Sequence, residues 1–381
     1  MKQYDYIFTG AGLSALMTVY KMVQSGQFKD KTILLLDENA KKTNDRTWCF
    51  WTKKKGIWNN IISKTWDSAL FANQDFQRNL DLNSYQYHMV KGLDFYSQVF
   101  NVISKEENIH FLNQKVTDIE ESETIIMLQT ETESFSCSKL FNSIYTKSKM
   151  DIQTDYPVLQ QHFIGWFIKS EQAVFNPEQA TFMDFSVEQK GNTRFMYVLP
   201  TSKTEALVEY TLFSHTLLTK EEYETEIKNY IQKLGISHYE IIEKEQGSIP
   251  MTCYPFWKHN TKNVINIGTA GGWTKASTGY TFKNADKKSS ELVSFLETQT
   301  DFRKLYRKTK FWWYDLLLLD ILDQKNETGA AIFSALFKKG NPQLIFKFLD
   351  EETSFWEDLQ VIWKCPKGLF IEALLKRLFR F

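Results

Sequence analysis

The chain has 381 residues of which 43% are hydrophobic, enough to bury large cores in two or three subdomains and too apolar for a disordered chain. Lys+Arg and Asp+Glu both total 46, so no global field points to nucleic acid or another polyanion. Four separated cysteines, Cys49, Cys137, Cys253 and Cys365, show no C-x-x-C spacing, which argues against zinc and against a disulfide framework.

The chain opens with YIFTGAGLSALMTVYKMVQSGQFKDKTILLLD, from Tyr6 to Asp37. A short apolar run breaks at Gly10-Ala11-Gly12, and a segment with helical apolar spacing follows (Leu13, Leu16, Val19, Tyr20, Val23). A second apolar run then ends in Asp37. Strand, tight turn, helix, strand and terminal acid in that order predict a dinucleotide-binding βαβ unit. In such a unit the glycines let backbone at Gly12, Leu13 and Ser14 approach a pyrophosphate, Ala15 fills the third small position, and Asp37 accepts from ribose hydroxyls. A secretory leader is not expected, since Asp5 sits beside the single early charge, Lys2, and no small-residue cleavage site follows. Arg46, in the polar loop after Asp37, is expected either to reach a phosphate of the cofactor or to be a solvated loop charge.

From Tyr85 to Asn142 the pattern predicts a helix over Phe95 to Lys105. Strands follow near Ile109 to Leu112, Lys115 to Glu120, Thr124 to Gln129, Ser134 to Cys137 and Leu140 to Tyr145. Between Pro157 and Phe213, QHFIGWFIKS, ATFMDFSVEQ, NTRFMYVLP and EALVEYTLF read as strands of an antiparallel sheet. In the last of these Leu207, Glu209, Thr211 and Phe213 share one face and Val208, Tyr210 and Leu212 the other. Asp184 and Glu209 are carboxylates among apolar neighbours, which is either a solvent face or a buried functional acid.

Lys220 to Leu234 predicts an amphipathic covering helix. A strand from Val264 to Ile267 then opens into Gly268-Thr269-Ala270-Gly271-Gly272, and Ser277-Thr278-Gly279-Tyr280 is expected to begin a helix. A second glycine-rich turn this late in the chain puts Gly268, Ala270, Gly271, Gly272, Thr278 and Gly279 forward as cofactor-binding positions, and the pair of motifs points to FAD rather than NAD.

The tail from Asp301 is helical and aromatic. In its last segment Phe370, Ile371, Leu374, Leu375 and Leu378 form a stripe with Lys376, Arg377 and Arg380 off it, a pattern for lying on a membrane surface or docking on the protein body. No apolar run is long enough to span a bilayer. Aromatic content of 15%, with 30 Phe, 17 Tyr and 11 Trp, suits a large apolar ligand site or a membrane-facing surface, though cores also absorb aromatic rings. The expected divisions are 1–150 and 248–298 for cofactor binding, 151–247 for an antiparallel substrate domain and 299–381 for a helical region.

The segments DYIFTGAGLSA, NDRTWCFW, FMDF, RFMYVLP, ALVEYT, GSIPMT and GTAGGWTKASTGYTF together resemble the bacterial FAD-dependent lycopene beta-cyclases over nearly the whole chain. The resemblance implies an α/β fold of the aromatic-hydroxylase flavoprotein type, reduced FAD with NAD(P)H as reductant, and a linear ψ-ended carotene such as lycopene as substrate. It also implies a cytoplasmic enzyme held peripherally at the membrane. The family's L-x-E-(E/D)-T strand motif places its acid at Glu209, with Asp184 the next candidate, and departs at Tyr210, where the family carries a second acid. FLDEET at Phe348 to Thr353 reads as helix rather than as that motif. Two other classes share the glycine turns: a flavin oxidoreductase of the same fold, and a carrier that has no need of Glu209.

Overall fold

A computed structural model of the chain describes residues 1–53, 55–145 and 152–379. Its first sheet has the order β8 (Ile109–Leu112), β2 (Ile33–Leu36), β1 (Lys2–Thr9), β11 (Ser134–Asn142), β10 (Ile126–Thr130) and β9 (Val116–Glu121), with β17 (Val264–Asn266) paired to β11. β8, β2, β1, β11 and β17 run parallel, and β9 to β11 form an antiparallel meander. Parallel strands buried on both faces carry unbroken apolar runs, which is why Ile33 to Leu36 shows no alternation. Helices α1 (Leu13–Ser25), α2 (Gly92–Ile103) and a later helix, Phe282–Thr298, cover one face. The other face holds a smaller core around Leu34, Leu128 and Phe135.

The second sheet has the order β16 (Tyr239–Met251), β12 (Leu159–Ser170), β15 (Glu205–Ser214), β14 (Thr193–Pro200), β13 (Gln179–Asp184), β5 (Ser68–Ala72) and β6 (Gln77–Asp81). On β15 the expected alternation is present. Leu207 and Phe213 enter the large aromatic core, while Val208, Tyr210 and Leu212 enter a separate core under α3 (Lys220–Lys233). That helix starts on a capping box between Thr219 and Glu222. β3 (Thr47–Thr52), β7 (Gln86–Lys91) and β4 (Ile62–Trp66) form a third sheet. Its side chains alternate between cores: Phe50 and Val90 join the cluster under the first sheet's helices, Trp51, Tyr87 and Met89 the aromatic one.

The helix Phe282–Thr298 is α4, followed by α5 (Lys310–Gln324), α6 (Gly329–Lys339), α7 (Pro342–Leu349), α8 (Phe355–Ile362) and α9 (Lys367–Phe379). Leu316 and Leu319 of α5, Phe333 and Phe337 of α6, and Ile345 and Phe346 of α7 close the aromatic core, so the tail is part of the packing on the second sheet. Arg377 pairs with Asp320, and Ala373 packs against Ile321 and Ile332, which docks one side of α9 on the body. Arg380 lies outside the described residues. All four cysteines are free.

Three sequence boundaries shift. The second sheet recruits β5 and β6 from within 1–150, with β5 parallel to β13 so that the sheet is mixed rather than wholly antiparallel, and β16 crosses the division at 247/248, because edge pairing extends a sheet wherever an unpaired strand reaches it. The two strands expected within 134–145 are one continuous strand. Ser277 to Tyr280 is a loop, with Gly279 at φ 71° and the helix beginning at Phe282.

Candidate active site

One cavity of about 810 Å³ runs from the glycine turns to the second sheet. Its first end is lined by Gly10, Gly12, Leu13, Ser14, Ala15, Asp37 and Arg46. Gly10 sits at φ 97°, where a Cβ would stand 2.3 Å from Ser143 Oγ. A Cβ at Gly12 would meet nothing within 4 Å and would project into open space. Gly12 caps α1 with no side-chain hydrogen bond, so the first-turn N–H groups stay available to a ligand. Asp37 accepts from the Ala11 N–H at 2.6 Å and from the Asn39 N–H at 2.7 Å, and pairs with Lys41 at 3.2 Å. The acid therefore ties the end of β2 to the glycine turn.

Of the later turn, Gly268, Thr278 and Gly279 line this cavity. Gly271 and Gly272 line a neighbouring one with Trp273 and Lys275, and Ala270 is buried in neither. The cause is the tight turn Gly268–Gly271, which points its first residue inward and its last ones away. Thr278 Oγ1 and Gln161 Oε1 are buried, line the cavity and have no hydrogen-bond partner in the protein. Such atoms call for a polar ligand, because leaving them unpaired costs about 1–3 kcal/mol each. Open space at Gly12, uncapped N–H groups and these two atoms together fit the pyrophosphate and ring edges of a dinucleotide.

The second end of the cavity is lined by Glu209, Glu245, Phe163, Tyr197, Leu207 and Tyr280. Glu209 is 9% exposed, and its Oε1 accepts from Thr211 Oγ1 at 2.7 Å. Burial, with Glu245 alongside, raises its pKa well above the ordinary carboxylate value. Glu245 Oε2 accepts from Thr47 Oγ1 at 2.6 Å, and burial raises its pKa too, against the pull of that hydroxyl, of Glu209 and of Arg46. Burial also keeps the Tyr197 and Tyr280 hydroxyls neutral.

Asp184 is not brought to this cavity. Tyr230 of α3 donates to its Oδ2 at 2.7 Å and the Ser186 N–H to its Oδ1 at 2.8 Å, so it anchors the covering helix. Tyr210 likewise faces away, its hydroxyl accepting from Arg194 at 3.2 Å. Of the nearby aromatic side chains Tyr197 lines the cavity, Phe182 and Phe195 pack behind it, Trp166 faces the α3 core, and Trp273 lines the neighbouring cavity. Glu351 binds buried Lys275 at 3.0 Å, away from Glu209. Glu245 was not legible as a site residue, because EIIEKEQGS reads as a solvated charged strand. Its one signal was Gly165, which pairs with both Glu209 and Glu245.

The fold is that of the aromatic-hydroxylase and halogenase flavoproteins. A geranylgeranyl bacteriochlorophyll reductase-like protein of Thermoplasma acidophilum superposes with a TM-score of 0.61 at 12% identity, covering 98% of both chains. A flavoprotein/dehydrogenase of Cytophaga hutchinsonii gives 0.61 at 12% identity, covering 98% and 99%. Within this class the chain belongs to the lycopene cyclase family: the family model described as "Lycopene cyclase protein" matches residues 5–374. It is also 29% identical over 127 residues to the lycopene beta-cyclase of Pantoea ananas, a segment covering 32% of this chain and 32% of that relative.

Proposed function

We propose that the protein is a lycopene cyclase that converts the linear ψ end groups of lycopene or a related acyclic carotene to β-ionone rings, with FAD bound at the glycine end of the cavity. Membership of the family supports the substrate class, and the flavoprotein fold with its unpartnered polar atoms supports the cofactor. The observation that carries the reading is the place of Glu209: a carboxyl that burial keeps protonated, facing the same cavity as the glycine turns.

Cyclisation adds a proton to an alkene carbon, closes a ring on the resulting tertiary cation and removes a ring proton, with no net redox change. A carboxylic acid is far too weak to protonate an alkene in water, so Glu209 needs both a dry site that holds its proton and a site that favours the cation. Tyr197, Tyr280 and Phe163 offer aromatic faces, each worth roughly 2 kcal/mol to a desolvated cation. Thr211 keeps one Glu209 oxygen fixed while the other delivers the proton. A bound flavin, in its reduced anionic form with NAD(P)H as reductant, supplies negative charge beside the cation.

Because the substrate dissolves in lipid, we place the enzyme peripherally on the membrane, and no helix among the described residues is long and apolar enough to cross one. The decisive experiment is expression in cells that accumulate lycopene, followed by chromatography of the pigments. Cyclic carotenes confirm the reading. Unchanged lycopene with a flavin-loaded protein moves it to the oxidoreductases.

A further inference from the structure

β12 runs between β15 and β16, and at Gly165 it has no side chain. Gly165 pairs with Glu209 on one side and with Glu245 on the other. A Cβ there would lie 3.3 Å from Glu209 Cβ and 3.2 Å from Glu245 Cγ, so the glycine opens the gap in which the two carboxyl groups meet. Each carboxyl commits one oxygen to a threonine hydroxyl, Thr211 for Glu209 and Thr47 for Glu245. Burial raises the pKa of both carboxyls, and each acts on the other's ionisation, so the two do not titrate independently.

We propose that Glu245 is the second carboxyl of the acid site: Glu209 and Glu245 share one proton across Gly165, with Glu209 the acid and Glu245 the anion that holds the proton there. Residue 210 lies on the opposite face of β15 and could not share a proton with Glu209, so the partner comes from a different strand. It rests on the cyclase reading for its chemical use but not for its existence. In turnover the pair gives one proton to the alkene carbon and takes one back from the ring, so protons balance and no electrons move. Glu245 is a positioning residue in this scheme, because it acts through Glu209.

The neighbours are consistent with one proton rather than two or none. Arg46 faces Glu245 and favours its charge, while Glu243 on the same strand opposes it. Asn44 Nδ2 donates to Glu243 at 2.7 Å, which stabilises that carboxylate in turn. The Cys49 thiol and the Tyr197 phenol, the other titratable groups facing the pair, are held neutral by burial and supply no compensating charge.

The test is an infrared pH titration of the flavin-loaded protein, following the protonated-carboxyl C=O stretch that disappears in Glu209→Gln. In wild type this band should persist well above the ordinary carboxylate range. In Glu245→Gln it should remain at acid pH, but its midpoint should fall by at least about one pH unit, because a like charge has been replaced by an amide. Glu245→Asp, which keeps the charge on a shorter stem, should lie between the two and serves if the glutamine variant fails to fold. The alkaline limb of the cyclisation rate should move in the same order. An unchanged midpoint in both Glu245 variants overturns the pair, as does a wild-type signal corresponding to two protonated carboxyls lost together. If the midpoints move as stated and lycopene is left uncyclised, the pair stands and the cyclase reading falls.

Discussion

Gly165 and Glu209 face each other across β12 and β15, and the missing side chain of the first is what gives the second its room. Gly165→Ala would bring a methyl to 2.8 Å from Leu207 Cδ1 as well as against both glutamates. Leu207 can give way, so the variant is expected to fold and retain flavin. Its carboxyls would be forced apart, and cyclisation should fall by up to about 10²-fold, as misplacing a reacting group by about 1 Å does. Turnover measured beside flavin content checks this: loss of both together would mean the fold, not the acid site, had failed.

Glu209→Gln separates catalysis from stability. It keeps shape and loses the proton, so turnover should drop by ~10²- to 10⁴-fold with flavin retained. Its stability should move the other way. The folded pKa of Glu209 lies above its unfolded value of 4.5, so the unfolded state releases the proton first as pH rises. Wild type therefore loses stability progressively from that pH upward until the folded carboxyl itself ionises. The variant has no such loss, and its Tm should exceed that of wild type by an increment that grows with pH through this window. A constant difference at every pH would show that Glu209 is not held protonated.

His88 and His162 give an opposite slope. Burial lowers both imidazoles from 6.5 to about 4, so below pH 6.5 the unfolded chain takes up protons that the folded one refuses. Each should cost up to about 1.4 kcal/mol of stability per pH unit as pH falls from 6.5 towards 4. Denaturant midpoints across that range check the sum, and His162→Gln should reduce the slope. A flat profile would mean that one or both rings find a charged form in the fold.

What the sequence made legible follows the reach of its local signals. The glycine turn and Asp37 are specified within one βαβ unit, and Gly10, Gly12, Leu13, Ser14 and Ala15 line the cavity together with Asp37. The two faces of β15 follow from a period of two, so the placement of Glu209 opposite Tyr210 needed no long-range information. Asp184 was undecidable from its neighbours, because whether FMDF turns its acid to a cavity or to a covering helix depends on where α3 lands. Glu245 depends on more still: its strand looks solvated, and only the pairing of β16 with β12 reveals that Gly165 leaves it facing Glu209.

Gly12 offers a clean test of the cofactor end. No protein atom lies within 4 Å of the place a Cβ on this residue would take, so Gly12→Val should not disturb packing directly. The added methyls would instead fill the space a pyrophosphate needs and cover the N–H groups of α1. The purified variant should keep its secondary structure by circular dichroism and lose the yellow flavin spectrum. Stoichiometric flavin in that variant would move the cofactor elsewhere.

The surface of the tail yields the last prediction. Deleting α9 would confound two effects, because Ala373 packs into the core with Ile321 and Ile332 while Arg377 holds Asp320. The predicted apolar stripe is in fact divided: Phe370 joins that packing, whereas Ile371, Leu374, Leu375 and Leu378 stay exposed. On α8 and just after it, Phe355, Trp356 and Trp363 are exposed as well, with Lys367 over the Trp363 ring at 3.4 Å. Aromatic rings beside a lysine suit a headgroup boundary, with each buried CH₂ contributing about 0.8 kcal/mol. Substituting Ile371, Leu375 and Leu378 together by glutamate leaves the docked face intact and adds charge where lipid would lie. The triple variant should keep the wild-type Tm, release from vesicles containing anionic lipid and lose cyclisation of membrane-borne carotene, and sedimentation with vesicles across a salt series checks it. Undiminished vesicle binding at unchanged Tm would place the membrane contact on another face of the protein.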